Sequence, residues 1–316
     1  MMKQNNKSFL RDVVGNYLSE LGKADSRVIV VNADLMGTSR NRNFVETFPE
    51  RAFNVGIAEQ NLVSFSAGLA HEGFLVYANT MAPFLTMRAC EQCRTDVAYG
   101  NLNVRLLGTY SGVSGGISGA THWAMEDCAI MSAIPNMTIL EPCDAVQARK
   151  MLQESLRIKG PLYMRISVEP QSDLYEEDYQ FTLGKATTLR EGKDGTFICS
   201  GVTVQFALQA AYQIKEQCGK DIGVIDMHTI KPIDKQAVLK AASTGRIIVA
   251  QDHNVVGGLG SAVAMMLASS GVGIKFKVLG IPDEFVPMAH APYLYHKFGF
   301  DGEGMTKAMM DLFQAD

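Results

Sequence analysis

Glu59 and His122 are the side chains whose type and setting best support chemistry. Glu59 stands where an apolar strand hands over to a helix: Arg51-Ala-Phe-Asn-Val-Gly56 reads as a short strand, and Asn61 to His71 carries apolar residues at helical spacing. A carboxylate in that first turn lies at the carboxyl end of a strand, the edge where open α/β sheets bind ligands. The helix dipole favours an acid there too, so a solvated cap is the competing reading. His122 closes the stretch Gly108-Thr-Tyr-Ser-Gly-Val-Ser-Gly-Gly-Ile-Ser-Gly-Ala-Thr-His122, just ahead of a helix start. Its glycines permit close backbone approach to a ligand, and an imidazole in that position can face a cleft and donate to oxygen atoms. The loop lacks both the lysine of a P-loop and the spacing of a dinucleotide fingerprint. A surface capping histidine is the alternative for His122.

The elements that must hold these residues alternate along the chain. Helix is expected over 8–21, and the run from Arg27 to Asp34 is continuously apolar before it ends in polar residues. Such a run fits a strand buried on both faces of a parallel sheet. Further strands are expected at 74–79, 104–109, 137–141 and 162–166, with helices over 84–99, 126–133 and 144–158. From about residue 168 to 183 the periodicity breaks into an acidic stretch, read as an interdomain linker. Beyond it, strands at 196–200, 222–226, 246–251 and 275–280 alternate with helices at 202–218, 235–242, 258–269 and 305–313. This pattern argues two α/β units with mainly parallel sheets.

Composition narrows the function classes. The 316 residues are 47% hydrophobic and 20% charged, with a formal net charge of −4, so no basic stripe invites nucleic acid. No run approaches the roughly 18 apolar residues of a membrane span, and the first residues lack the apolar core and cleavage site of a leader. A cytoplasmic location is expected. Cys90 and Cys93 form a C-x2-C with no second ligand pair at zinc spacing, so the six cysteines are expected to be reduced and mostly buried.

Four ordered motifs then converge. Gly56-Ile-Ala-Glu59-Gln-Asn, the Gly-rich loop ending in Thr121-His122, Ala133-Ile-Pro-Asn-Met137 and Asp252-His-Asn-Val-Val-Gly-Gly-Leu-Gly-Ser261 together resemble transketolases. More narrowly they resemble the C-terminal half of a transketolase in its split, two-chain form. Deoxyxylulose phosphate synthases and the beta subunits of 2-oxo acid dehydrogenases share the layout and supply the alternative enzymatic reading. A binding or regulatory module that kept the fold is the non-enzymatic one.

The resemblance implies two three-layer α/β/α domains: a pyrimidine-binding domain over 1–170, a linker over 171–184 and a transketolase C-terminal domain over 185–316. It implies thiamine diphosphate, with Glu59 hydrogen-bonded to the pyrimidine ring nitrogen and Phe84 stacked on the ring. Ile57, Met87 and Cys90 fall at further cofactor-side positions, the last two where aromatic residues are common. His122 matches a histidine near the donor's carbonyl and hydroxyl groups. Arg165 matches a phosphate-binding arginine, and Arg40 or Arg42 is a second candidate. Tyr110 and Ser118 stand where a histidine and an aspartate are common, which sets the standard sugar phosphates apart. The Gly-rich turn of the second domain is implied to be chiefly structural.

One feature of such enzymes is missing. The Gly-Asp-Gly motif that brings Mg2+ to the cofactor's diphosphate does not occur in the sequence. The resemblance therefore implies half of an active site, completed by a separate N-terminal subunit in an α2β2 heterotetramer or on a dimer of this chain. The activity implied is transfer of a two-carbon ketol unit from a ketose phosphate to an aldose acceptor.

Overall fold

The computed structural model describes residues 7–314. Its strands in chain order are β1 (Lys7–Phe9), β2 (Val28–Asn32), β3 (Ala52–Asn54), β4 (Leu75–Met81), β5 (Val104–Thr109), β6 (Thr138–Leu140) and β7 (Leu162–Ile166). There follow β8 (Pro170–Ser172), β9 (Thr187–Arg190), β10 (Gly195–Cys199), β11 (Ile222–Asp226), β12 (Thr229–Lys231), β13 (Arg246–Asn254) and β14 (Lys275–Ile281). The first sheet has the order β12-β6-β7-β5-β4-β2-β3 and is parallel except at β12. The second has the order β14-β13-β10-β11-β9 and is parallel except at β9.

The apolar run in β2 shows why the first unit has three layers. Val28 and Val30 pack with Leu10, Val14 and Leu18 of the helix Leu10–Ala24 on one face. Ile29 and Val31 pack with Leu62 and Val63 of the helix Glu59–His71 on the other. Successive strand residues point to opposite faces, so only an unbroken apolar string satisfies both layers. The second sheet is treated likewise. Val204 and Met305, from the helices Thr203–Cys218 and Gly302–Gln314, cover one face with Phe197 and Val224. Val238 and Val263, from Lys235–Ala242 and Leu259–Ser269, cover the other with Ile198 and Val249. Asp144 and Asp234 cap their helices, accepting from the main-chain N–H groups of Gln147 and of Gln236 and Ala237.

The two α/β units are not independent beads. The core around Ile29 and Leu62 runs on without a break to Ile198, Ile225 and Ile247 of the second sheet. β12, from the second half of the chain, pairs antiparallel with β6 and covers what is otherwise an edge of the first sheet. None of the helices among the described residues is long and apolar enough to cross a membrane.

Several local expectations change. The helix expected from residue 8 starts at Leu10, because Lys7–Phe9 pairs antiparallel with β8. The helix expected over 84–99 is interrupted by wide π-type turns over Phe84–Arg88 and Cys93–Ala98, a distortion frequent at functional sites. Short helices at Arg42–Thr47 and Ala291–Lys297, and the three-residue β12, carry too little periodicity to be read from sequence.

The acidic stretch after β7 is tied down rather than loose. Asp144 Oδ2 accepts from the main-chain N–H groups of Leu174 and Tyr175 at 2.8 and 2.7 Å. Tyr175 stacks on Tyr179 with centroids 3.9 Å apart and donates to Asp226 Oδ2 at 2.7 Å. Gln147 Nε2 donates to the same oxygen at 2.6 Å. Burial pushes the Asp226 carboxyl up to about 7, and its Oδ1 has no hydrogen-bond partner. Because the folded value lies above the unfolded one, the folded state keeps a proton that the unfolded chain releases. The stability tied to that proton is present below about pH 4 and is lost as pH rises toward 7. In D226N this titration disappears. Calorimetric melts are expected to show wild-type stability falling relative to D226N by up to ~1.4 kcal/mol per unit between about pH 4 and 7. A difference that does not change with pH would show that the carboxyl is ionised throughout.

Candidate active site

Glu59 opens its helix at the carboxyl edge of the first sheet, directly after β3, and only 2% of it is exposed. An unpaired carboxylate at that depth is costly, and it is paired: Arg88 Nη1 donates to Glu59 Oε2 at 2.7 Å. Arg88 leaves the wide turn Phe84–Arg88, and its guanidinium carbon lies 4.5 Å from the centroid of the Phe84 ring. His122 meets the same ring edge-on, with centroids 5.4 Å apart, and its Nδ1 shares a hydrogen bond with Thr121 Oγ1 at 2.8 Å. Pro83, Phe84, Met87, Arg88, Ala120, Thr121 and His122 line an open groove of about 660 Å3. The wide turn and the Gly-rich loop thus bring together residues 38 positions apart in sequence, Phe84 and His122, with Glu59 reached through Arg88.

The Gly-rich loop owes its shape to the second domain. Val113, Trp123 and Met125 are buried in the core around Phe197 and Tyr295. Val113 N–H donates to Asp252 Oδ1 at 3.0 Å, and Asn254 N–H donates to the carbonyl of Met125 at 2.8 Å. Gly112 has φ +59°, and a Cβ on it would sit 2.1 Å from Asp252 Cγ, so only glycine admits this anchor. Within the loop, Trp123 Nε1 donates to Gly116 O at 3.0 Å. The Asp252-His-Asn motif is therefore an anchor that sets the position of His122. Burial pushes the Asp252 carboxyl up to about 7, and Tyr295 donates to its second oxygen at 3.0 Å.

Arg165 requires a correction. A phosphate at the mouth of the cleft cannot reach it, because its side chain is fully buried and its donors are spent. Nε and Nη2 donate to the two oxygens of Asp127 at 2.7 and 3.0 Å, and Nη1 to Glu141. Nη2 also donates to the carbonyl oxygens of Asp252 at 2.9 Å and Ala124 at 3.3 Å. Burial would raise the Asp127 carboxyl, but Arg165 beside it wins and holds it below the usual carboxylate range. Glu141 accepts further from Ser200 at 2.6 Å and Gln251 at 2.7 Å, both in the second domain. Asp127, Cys128 and His253 approach each other closely enough to suggest a metal trio. Both oxygens of that carboxylate, however, are taken by Arg165 and Tyr163. The trio belongs to the interdomain polar core.

The remaining candidates spread around the groove. Met87 lines it and is 46% exposed, while Ile57, two residues before Glu59, is 78% exposed. Cys90 is half-buried and does not line the groove. All six cysteines are free thiols, and four of them, Cys93 of the C-x2-C included, are buried. Tyr110, just after β5, lies in the left-handed region with φ +63°, as do Asp34 and Arg40 beyond β2. Strained backbone of this kind gathers at functional edges. Ser118 is exposed in the turn Gly116–Ser118. Arg40 is turned toward the first helix, its Nε 3.0 Å from Asp12 Oδ1, and Arg42 opens a short helix on the surface. Neither lines the groove. The sequence does not single out Arg88. Its spacing from Phe84 is visible there, but its partner Glu59 lies 29 residues away with no local signal.

A mainly parallel sheet with a buried acid at a strand-to-helix turn, joined to a second α/β unit, defines the class as an α/β protein of two units. The chain matches the transketolase pyrimidine-binding domain over residues 7–170 and the transketolase C-terminal domain over residues 184–305. It is 39% identical to a putative transketolase C-terminal section of Methanocaldococcus jannaschii, covering 96% of this chain and 95% of that protein. It is 38% identical to an apulose-4-phosphate transketolase subunit of Phocaeicola vulgatus, covering 97% and 98%. A solved split-gene transketolase, described as an inactive β4 tetramer, superposes with a TM-score of 0.89 at 35% identity, covering 96% and 98%. The chain belongs to the transketolase family, and the relatives of matching length described above are named as a C-terminal section, a subunit and a split-gene transketolase.

Replacing Arg165 with Met leaves Asp127 and Glu141 buried without their shared cation. Urea denaturation is expected to show a loss of about 3–5 kcal/mol. A loss below about 1 kcal/mol, the worth of an exposed pair, would mean that the network relaxes or takes in water.

Proposed function

We propose that this chain is one half of a two-chain, thiamine diphosphate-dependent transketolase, moving a two-carbon ketol unit from a ketose phosphate to an aldose acceptor. The observation that carries this reading is the buried Glu59 carboxyl joined through Arg88 to the Phe84 ring, which His122 meets edge-on. The residues present fit the pyrimidine half of the cofactor. A flat, nitrogen-rich cation already lies across the Phe84 ring and bonds Glu59, so the space accepts a planar group with N–H donors on its edge. When bound, thiamine diphosphate supplies the carbon nucleophile that carries the two-carbon unit.

The protein's part is positional and electrostatic. Glu59, shielded from water, shares a proton with the pyrimidine ring nitrogen, and Phe84 sets the plane of the ring. His122, held by Thr121 and the anchored loop, donates to the oxygens of the donor sugar. Met87 supplies an apolar side chain to the groove beside Phe84. Tyr110 and Ser118, on the Gly-rich stretch that ends in His122, are the substrate-side candidates; Arg40, paired with Asp12, is not, and the buried Arg165 holds the loop rather than the phosphate. An N-terminal subunit would carry the diphosphate and Mg2+. Exposed apolar side chains near Glu59, among them Phe53, Ile57 and Phe65, suit docking of that partner in an α2β2 assembly. Two relatives of matching length, one named as a C-terminal section and the other as a transketolase subunit, support the division into two chains.

The test is reconstitution with an N-terminal subunit, thiamine diphosphate and Mg2+ against a panel of ketose phosphates. E59Q is expected to lower kcat by about 10²-fold or more while leaving the melting profile of the complex in place. Turnover close to wild type in E59Q would sink the assignment.

A further inference from the structure

Arg88 occupies the ground that the proposed function gives to the cofactor. Its guanidinium lies over the Phe84 ring, 4.5 Å from centroid to carbon, and donates to Glu59 Oε2 at 2.7 Å. A pyrimidine stacked on Phe84 and bonded to Glu59 needs the same ring face and the same carboxyl. Two planar groups cannot share them. The exposures show which of the pair can move: Glu59 is 2% exposed, while the Arg88 side chain is 51% exposed on a long flexible stem. Arg88 also leaves a wide π-type turn, where the helix ladder is already distorted.

We propose that Arg88 is a built-in plug of the cofactor site: it neutralises Glu59 and covers Phe84 in the unpartnered chain, and swings out when an aminopyrimidine docks. The proposal rests on Glu59 being the pyrimidine's partner. Its physical logic is the cost of a lone carboxylate in a site that stays empty until two subunits meet. The guanidinium holds the carboxyl and the ring in register, so the site does not collapse or bury an unpaired charge. The ligand must then displace an ion pair, and its apparent affinity is reduced by the fraction of chains in which Arg88 is out.

The isolated chain suffices for the test, with the free aminopyrimidine half of thiamine as the probe and binding followed by ligand-observed NMR. R88M is expected to bind the probe at least threefold more tightly than wild type, and this gain is expected to vanish in the E59Q/R88M double variant. An unchanged or weaker affinity in R88M would overturn the plug while leaving a loss of turnover in E59Q untouched. A gain that survives in E59Q/R88M would overturn the docking of the ring on Glu59, and the proposal with it.

Discussion

Arg165 sits where the two domains meet, and its guanidinium is bonded at once to Asp127, Glu141 and the carbonyl oxygens of Ala124 and Asp252. The first three partners belong to the first domain, and the last belongs to the second. Glu141 in turn accepts from Ser200 and Gln251, and Tyr163 donates to Asp127 at 2.6 Å. Charges taken this far from water are stabilised only when the surrounding hydrogen bonds are complete. Completeness here requires both domains to be docked. The network therefore specifies one mutual arrangement more than it adds stability, and the apolar core running from the first sheet to Ile198 and Ile247 supplies the bulk of the attraction.

The placement of the reactive side chains follows from that arrangement. Asp127 begins the helix Asp127–Ala133 five residues after His122, and Arg165 bonds the carbonyl of Ala124 between them. From the other side, Asp252 and Asn254 hold Val113 and Met125. The loop carrying His122 is thus gripped near both ends, and a glycine-rich segment that would otherwise sample many conformations is presented in one. Pre-positioning of this kind matters for chemistry, because a group held within bonding reach does not have to be ordered during the reaction.

Much of this was legible in the sequence. The continuous apolar run in β2 announced a strand covered on both faces, and the short strand before Glu59 placed that acid on the ligand edge of the sheet. What was not legible is informative. An arginine near the end of an apolar strand reads the same whether it awaits a phosphate or is enclosed by carboxylates, and the partners of Arg165 lie 24 and 38 residues upstream. The pairing of Arg88 with Glu59 is equally non-local. The helix expected over 84–99 hid the wide turn that aims Phe84 and Arg88 at the same place, because helical spacing does not distinguish a regular turn from a widened one. β12 escaped notice because three residues carry no period.

The anchoring of the Gly-rich loop bears on how freely such domains can be exchanged. Gly112 exists to admit Asp252, and Val113, Trp123 and Met125 fill a core whose other walls are Phe197, Tyr295 and Phe300. Residues 112–125 therefore belong to the first domain by chain order and to the second by packing. A chimera cut at the acidic stretch inherits a loop shaped for a neighbour it no longer has. The unit that can be transplanted is the second domain together with that loop, and recombination between distant members of the fold must respect a boundary that the linear sequence does not mark.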